Sequence, residues 1–181
     1  MNYQPIIDKY YPAGSRLRDI YMRHCRQVAD KALAIARDRG LKLDEHEIEA
    51  AAMLHDIGIF ATDAPSIECH GKEPYIRHGL IGGELLRKEG VPEEYARVAE
   101  RHTGAGLTAE EIKSQGLPLP AIDLCPESLL EKLICYADKF FSKSGSMEEK
   151  PYDKVVRSIG KFGPDSLRRF RQMEEDLGLR K

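Results

Sequence analysis

A histidine and an aspartate, His55 and Asp56, directly follow the apolar stretch of residues 50–54. This stretch has the pattern of a core-facing helix, so we expect both polar side chains at a turn that faces the core. Burying an imidazole and a carboxylate costs free energy unless something pairs with them. A divalent metal ion would do so, because both groups are metal ligands. The pair therefore predicts a metal site inside a helical protein.

The rest of the chain also has apolar residues at helical spacing, without the sustained alternation that is typical of strands. The pattern predicts an all-α fold. The expected helices are bounded by residues 19 and 39, 44 and 58, 75 and 88, 92 and 104, 108 and 115, and 126 and 141. Thr108 and Glu111 have the spacing of a capping box at one helix start.

Two segments interrupt this pattern. Residues 59–74 contain Pro65, Gly71 and Pro74, and we expect a long loop that acts as a lid or substrate loop, because it begins at the His55-Asp56 pair. Residues 142–146 resemble a linker. Beyond them, residues 147–181 are expected to form a helical C-terminal appendage of one or two polar helices.

Four further residues repeat the anomaly of a polar side chain on the inner stripe of a helix. Aliphatic residues are expected at such positions, and four unrelated core histidines are improbable. One shared site explains all of them. The whole set is His24, His55, Asp56, His78, His102 and Asp138. By contrast, His46 lies among charged residues and His70 in the polar loop, so both are expected at the surface.

Composition narrows the function classes. The 181 residues carry a formal net charge of −2 with 32% charged residues, which gives no general attraction to nucleic acid or to an anionic membrane. There is no apolar run of transmembrane length, and residues 1–5 lack the pattern of a signal peptide. We therefore expect a cytoplasmic protein. The four scattered cysteines are expected as reduced thiols.

The ordered series His…His-Asp…His…His…Asp resembles the HD-domain superfamily of metal-dependent phosphohydrolases, and residues 54–58 read like its HDIG variant. The resemblance implies an HD-domain helical bundle over residues 15–142. It also implies that His24, His55, Asp56 and Asp138 hold a metal common to the family. His78 and His102 match the extra ligands of members with two metals, in which Asp56 would bridge.

The sequence departs from the family at the position after HDIG. Many members have a lysine there that is thought to help hold phosphate, whereas this chain has Ile59. The cation must then come from elsewhere. Lys72 and Arg77 are our first choices, because they flank the loop that begins at the metal motif, and we group them with Asp56 as predicted catalytic residues. Further candidates are Arg16, Arg18, Arg101 and Lys139.

The resemblance implies hydrolysis of a phosphoester or phosphoanhydride by a metal-activated water, with two divalent ions chosen from Fe, Mn, Co and Zn. We expect a small phosphorylated substrate, a nucleotide being the first candidate, with neither a nucleic-acid polymer nor a membrane as partner. Two alternatives stay open. One is a di-iron oxygenase of the HD fold, and the other is a non-catalytic metal- or nucleotide-binding regulatory module. The oligomeric state is left open too.

Overall fold

The computed structural model describes residues 1–180. Within that range the chain forms nine α-helices and a two-stranded sheet of two residues per strand, so the all-α prediction is confirmed. The helices are α1 (Gln4–Tyr10), α2 (Arg16–Arg39), α3 (Glu45–Leu54), α4 (His78–Lys88), α5 (Glu93–Arg101), α6 (Ala109–Ser114), α7 (Leu129–Asp138), α8 (Tyr152–Gly160) and α9 (Pro164–Asp176). No helix among the described residues is long and apolar enough to cross a membrane.

Side-chain caps set the starts of the main helices. Ser15 caps α2, Asp44 caps α3 and Ser128 caps α7, each by accepting hydrogen bonds from backbone N–H groups of the first turn. The capping box predicted for Thr108 and Glu111 is present at α6 and is confirmed. The predicted start of α7 at residue 126 is wrong by a few residues, because Ser128 provides the cap.

Helices α2, α3, α5 and α7 pack around one core, and α4 packs along α5. Glycines allow the closest approaches. A Cβ atom at Gly58, just after α3, would lie 2.3 Å from the carbonyl oxygen of His78. A Cβ atom at Gly79 would lie 2.6 Å from the carbonyl oxygen of Ala99. Larger residues at these two positions would push α4 away from the end of α3 and from α5.

Residues 59–74, which the sequence predicts to be a long loop, contain secondary structure. They fold back as a small antiparallel hairpin of β1 (Asp63–Ala64) and β2 (Cys69–His70), in which Asp63 pairs with His70. Ile59, Ile67 and Cys69 are buried in the core. The hairpin was missed because two-residue strands give no readable alternation. The segment is fixed to the core at three points along its length.

The N-terminal helix α1 was also missed. It is short, but Ile6 and Ile7 are buried, and Tyr11, which follows it, is completely buried. The Tyr11 hydroxyl donates a 2.9 Å hydrogen bond to the carbonyl of Ile57, in the turn that contains the His-Asp pair. Residues 1–11 therefore support the turn on which the predicted metal site depends.

The C-terminal helices α8 and α9 share the core of the preceding helices. Val155, Ile159 and Phe170 are buried in it, and the ring of Tyr136 on α7 stacks on Phe170 at 5.1 Å. Lys181, the last residue of the predicted appendage, lies outside the described residues. The segment thus forms two helices, of which α9 packs against α7, the helix that carries Asp138, and α8 packs against α9.

Candidate metal centre

Five helices bring the six predicted ligand residues to one place. His24 lies in the middle of α2, whereas the other five lie at helix ends: His55 and Asp56 directly after α3, His78 at the start of α4, His102 directly after α5, and Asp138 at the end of α7. All six are buried, with relative exposures from 0 to 8%. Their side chains form two groups that could each hold a metal ion.

The first group joins two histidines to two carboxylates. His24 Nε2 lies 3.1 Å from Asp56 Oδ2 and 3.0 Å from Asp138 Oδ1. His55 Nε2 lies 3.1 Å and 3.6 Å from the same two oxygens. Four donor atoms from three separate helices thus surround one small volume.

The second group uses the other oxygen of Asp56. Asp56 Oδ1 lies 3.5 Å from His78 Nε2 and 3.4 Å from His102 Nε2. The two imidazole nitrogens are 3.0 Å from each other. Asp56 therefore presents Oδ2 to the first group and Oδ1 to the second.

Backbone hydrogen bonds orient three of the imidazoles. In His55, His78 and His102, Nδ1 lies 2.6, 2.7 and 2.8 Å from the carbonyl oxygen three residues earlier. A carbonyl oxygen only accepts, so Nδ1 carries the proton, and in the neutral ring Nε2 presents a lone pair to the centre. Such an outer hydrogen bond is usual for histidines that bind metals.

The electrostatics of the centre favour a bound cation. Burial lowers the pKa of His78 to about 3, so this imidazole is neutral at physiological pH and its lone pair faces that of His102. Burial also opposes ionisation of Asp56, but the Lys143 ammonium outweighs it and holds the pKa of this carboxyl well below its ordinary value. Converging lone pairs beside an ionised carboxylate attract a positive charge.

Three of the six side chains have donor atoms that lack hydrogen-bond partners. Within residues 1–180 none is found for either ring nitrogen of His24, for His55 Nε2 or for the two carboxylate oxygens of Asp56. Asp56 Oδ2 has a close ion-pair contact with Lys143, but this contact is not an aligned hydrogen bond. Buried polar atoms are rarely left in this state. The set therefore fits a divalent cation held by nitrogen and oxygen.

Comparison with known proteins agrees with this geometry. The sequence profile of the family described as HD domain matches residues 21–142, about two thirds of the chain. The chain belongs to the HD-domain family. The matched region begins just before His24 and ends just after Asp138, so the HD domain contains all six residues.

Relatives of this HD-domain protein are found among archaea. It is 32% identical to an uncharacterized protein of Methanocaldococcus jannaschii over 86% of each chain. It is 35% identical to a tRNA (cytidine(56)-2'-O)-methyltransferase of Picrophilus torridus, over 88% of this chain and 42% of that protein. The corresponding protein of Thermoplasma volcanium is 31% identical over 96% of this chain and 46% of its own length. No solved structure matches.

Two lysines lie beside the carboxylates of the candidate metal centre. Lys143 Nζ lies 2.6 Å from Asp56 Oδ2, and Asp56 outweighs the effect of burial to raise the pKa of Lys143 well above its ordinary value. Lys139 Nζ lies 2.7 Å from Asp138 Oδ2 and donates to the carbonyl of His102. Lys139 was among the sequence candidates, but Lys143 was missed because residues 142–146 read as a linker.

The cations first chosen from the sequence lie elsewhere. Arg77 pairs with Glu73 at 3.0 Å, and Lys72 is exposed. Among residues 1–180, neither makes an ion pair with Asp56 or Asp138. Their roles as phosphate contacts stay predictions. His46 and His70 are both exposed, as expected of surface histidines.

A polar cavity of about 340 Å³ gives access to the centre. Asp138 and Lys143 line it, together with Tyr75 and the hydroxyl-bearing Ser142 and Ser144. Ammonium and hydroxyl groups beside a candidate metal centre are the donors that a phosphoryl group would need. The cavity therefore provides a polar opening through which a small anion could reach Asp138 and the ammonium group of Lys143.

Proposed function

We propose that this HD-domain protein is a metal-dependent hydrolase that cleaves a phosphoester or phosphoanhydride of a small molecule. The observation that supports the proposal most directly is the convergence of six buried donor side chains, three of which have donor atoms without a hydrogen-bond partner, next to a polar cavity lined by Lys143. A metal ion with a purely structural role would not require an adjoining polar cavity. A surface pocket that binds no metal would not require buried ligand side chains.

The donor set fits two divalent ions. His24, His55, Asp56 and Asp138 would hold the first, and Asp56, His78 and His102 the second. Such ions, when bound, supply charge neutralisation at phosphoryl oxygens and a water of lowered pKa.

The protein's own side chains would do the remaining work. Lys143 and Lys139 place two ammonium groups beside the carboxylates, where they would bind the phosphoryl oxygens of the substrate. They take the place of the lysine that is absent after HDIG. Ser142 and Ser144 would donate further hydrogen bonds from the cavity wall. The Tyr11 hydroxyl holds the turn that carries Asp56 in position.

We propose a small substrate, with a nucleotide as the first candidate, and neither a nucleic-acid polymer nor a membrane as partner. The centre is buried and its polar cavity is about 340 Å³, which suits a small molecule. The two relatives named as tRNA methyltransferases are more than twice as long as the part that this chain matches. Methyl transfer is therefore not carried over to this chain.

The proposal is tested by metal analysis together with a substrate panel. Gently purified protein is analysed for iron, manganese, cobalt and zinc. It is then assayed with nucleoside mono-, di- and triphosphates, dinucleoside polyphosphates and simple phosphomonoesters. We expect metal-dependent product release that manganese or cobalt supports. His55→Ala should abolish both metal binding and turnover, whereas the exposed His46→Ala should change neither.

Two results would contradict the proposal. One is metal-loaded protein that turns over none of the panel. The other is a His46→Ala variant that loses activity as fully as His55→Ala does. A reaction that requires both iron and molecular oxygen, and that manganese or cobalt does not support, would assign the same ligands to oxygenase chemistry.

A further inference from the structure

A second cavity, of about 270 Å³, adjoins the metal centre on the side of His78. Its walls are almost wholly apolar, in contrast to the polar cavity described above. Tyr75 lines both cavities, so the two meet at one side chain. An apolar cavity with a few polar groups beside a reactive centre is the usual form of a ligand site.

Three separate stretches of the chain build this apolar cavity. Tyr75 comes from the turn before α4, Leu107 and Leu117 flank α6, and Phe162 lies in the turn between α8 and α9. Phe162 is outside the region that matches the HD-domain family. The C-terminal segment therefore supplies part of the wall of a cavity that His78 also lines.

The aromatic walls of the cavity are left open to solvent. Phe162 is 62% exposed and Tyr75 is 37% exposed, which places both among the few large hydrophobic residues at the surface. The Tyr75 ring stacks on the His78 ring at 4.7 Å, so its orientation is fixed relative to the centre. Two accessible aromatic rings in one cavity provide surfaces on which a flat ring can stack.

The charged groups of this cavity are already engaged with each other. Arg169 pairs with Glu111 at 2.8 Å and also donates to the carbonyls of Ala105 and Gly106. The side chains of Gln115 and Ser166 also line the cavity and can hydrogen-bond to a ligand. The cavity thus suits a neutral ring with polar edges, and does not suit a second phosphate.

We propose that the apolar cavity holds the base of a nucleoside phosphate while its phosphoryl group lies at the metal centre. This inference rests on the proposed function and adds to it the cavity and the residues that would hold the base. Phe162 and Tyr75 provide the stacking surfaces, and Leu107 and Leu117 complete the walls. The C-terminal segment then determines specificity, and the HD domain provides the reacting groups.

Steady-state kinetics test the assignment. In Phe162→Ala we expect the KM for nucleoside 5'-monophosphates to rise about tenfold, equivalent to about 1.4 kcal/mol, with kcat unchanged. Hydrolysis of glycerol phosphate, which has no base, should be unaffected. Ile122→Ala is the matched control, because Ile122 is an apolar residue with 52% exposure that does not line this cavity. Leu117→Trp, which fills the cavity, should act like Phe162→Ala.

A binding experiment separates failure of this inference from failure of the proposed function. The ligands are nucleosides, which carry no phosphate: adenosine, guanosine, cytidine and uridine. Their binding can therefore be measured by saturation-transfer NMR whether or not the protein is a hydrolase. We expect at least one to bind the wild-type protein, with its Kd raised about tenfold in Phe162→Ala and in Leu117→Trp. Equal binding by wild type and both variants, or no binding to the wild type, would overturn the inference even if the protein hydrolyses phosphoesters.

Discussion

Lys143 is predicted to act as the internal counter-charge of Asp56 when metal is absent. Its ammonium lies 2.6 Å from a carboxylate that is completely buried, and the lysine side chain itself is 12% exposed. Lys143→Met keeps the length and the apolar stem of the side chain but removes the charge. The carboxylate is then left without that cation in the metal-free protein.

The size of the effect follows from the burial of the pair. Removing one partner of a buried ion pair costs about 3–5 kcal/mol, and we take the lower end because Lys143 keeps some contact with water. For a chain of this length, about 3 kcal/mol corresponds to a fall in Tm of roughly 6–12 °C. In the metal-loaded protein the bound ions neutralise Asp56, so the loss of free energy of unfolding should be below about 1 kcal/mol.

The assay is thermal unfolding followed by circular dichroism, on protein treated with a chelator and on protein loaded with manganese. Lys72→Met is the control, because Lys72 is an exposed lysine and the substitution is the same. The substitution should lower the free energy of unfolding by about 2 kcal/mol more in the metal-free protein than in the manganese-loaded protein. The Lys143→Met variant must then bind manganese about 30-fold more tightly than the wild type, which titration calorimetry measures. Equal falls in Tm in both forms, with unchanged manganese affinity, would refute the reasoning.

Three further predictions concern the metal centre, the turn that carries Asp56, and Glu111 in the capping box of α6. Replacing His78 and His102 together by alanine should reduce bound metal from about two ions per chain to about one in elemental analysis, whereas an unchanged stoichiometry would make them substrate contacts. Tyr11→Phe should lower the free energy of unfolding by about 1–3 kcal/mol in urea titrations, because a buried carbonyl loses its donor; no change would exclude a supporting role. Burial opposes ionisation of Glu111, but hydrogen bonds from the backbone and from Arg169 outweigh it and lower its pKa below 4.5. The ionised Glu111 therefore stabilises the folded protein at pH values above 4.5, and this stabilisation is lost as the pH falls through the pKa of Glu111 in the folded state. Glu111→Gln should have a lower free energy of unfolding than the wild type at pH 7, and should lose less of it than the wild type on acidification.

The sequence was sufficient to predict most of the helices, though not α1, and the six residues that meet at the centre. Each of the six was recognisable because a polar side chain stood where the helical pattern requires an apolar one, as at His102 and Asp138. Caps such as Thr108 were equally readable, because their hydrogen bonds are local. Features that depend on one or two residues and their local chemistry could thus be predicted from the sequence.

Apart from that shared site, contacts between distant segments could not be predicted in this way. Lys143 reaches Asp56 across 87 positions of the chain, from a stretch whose composition resembles a linker. Lys72 and Arg77 were preferred because they are near the motif in sequence, and nearness in sequence is a weak guide to side-chain contact. Likewise, nothing in the composition of residues 147–181 indicates that Phe162 lines a cavity beside His78.

The position of the ligands along the chain has a consequence for assembly. The region that matches the family begins three residues before His24 and ends four residues after Asp138, and these two side chains are 3.0 Å apart. The first group of ligands thus forms only when the two ends of the domain have come together around everything between them. A fragment that lacks either end also lacks a ligand. A metal ion held by the first group would therefore report that the two ends of the domain have come together.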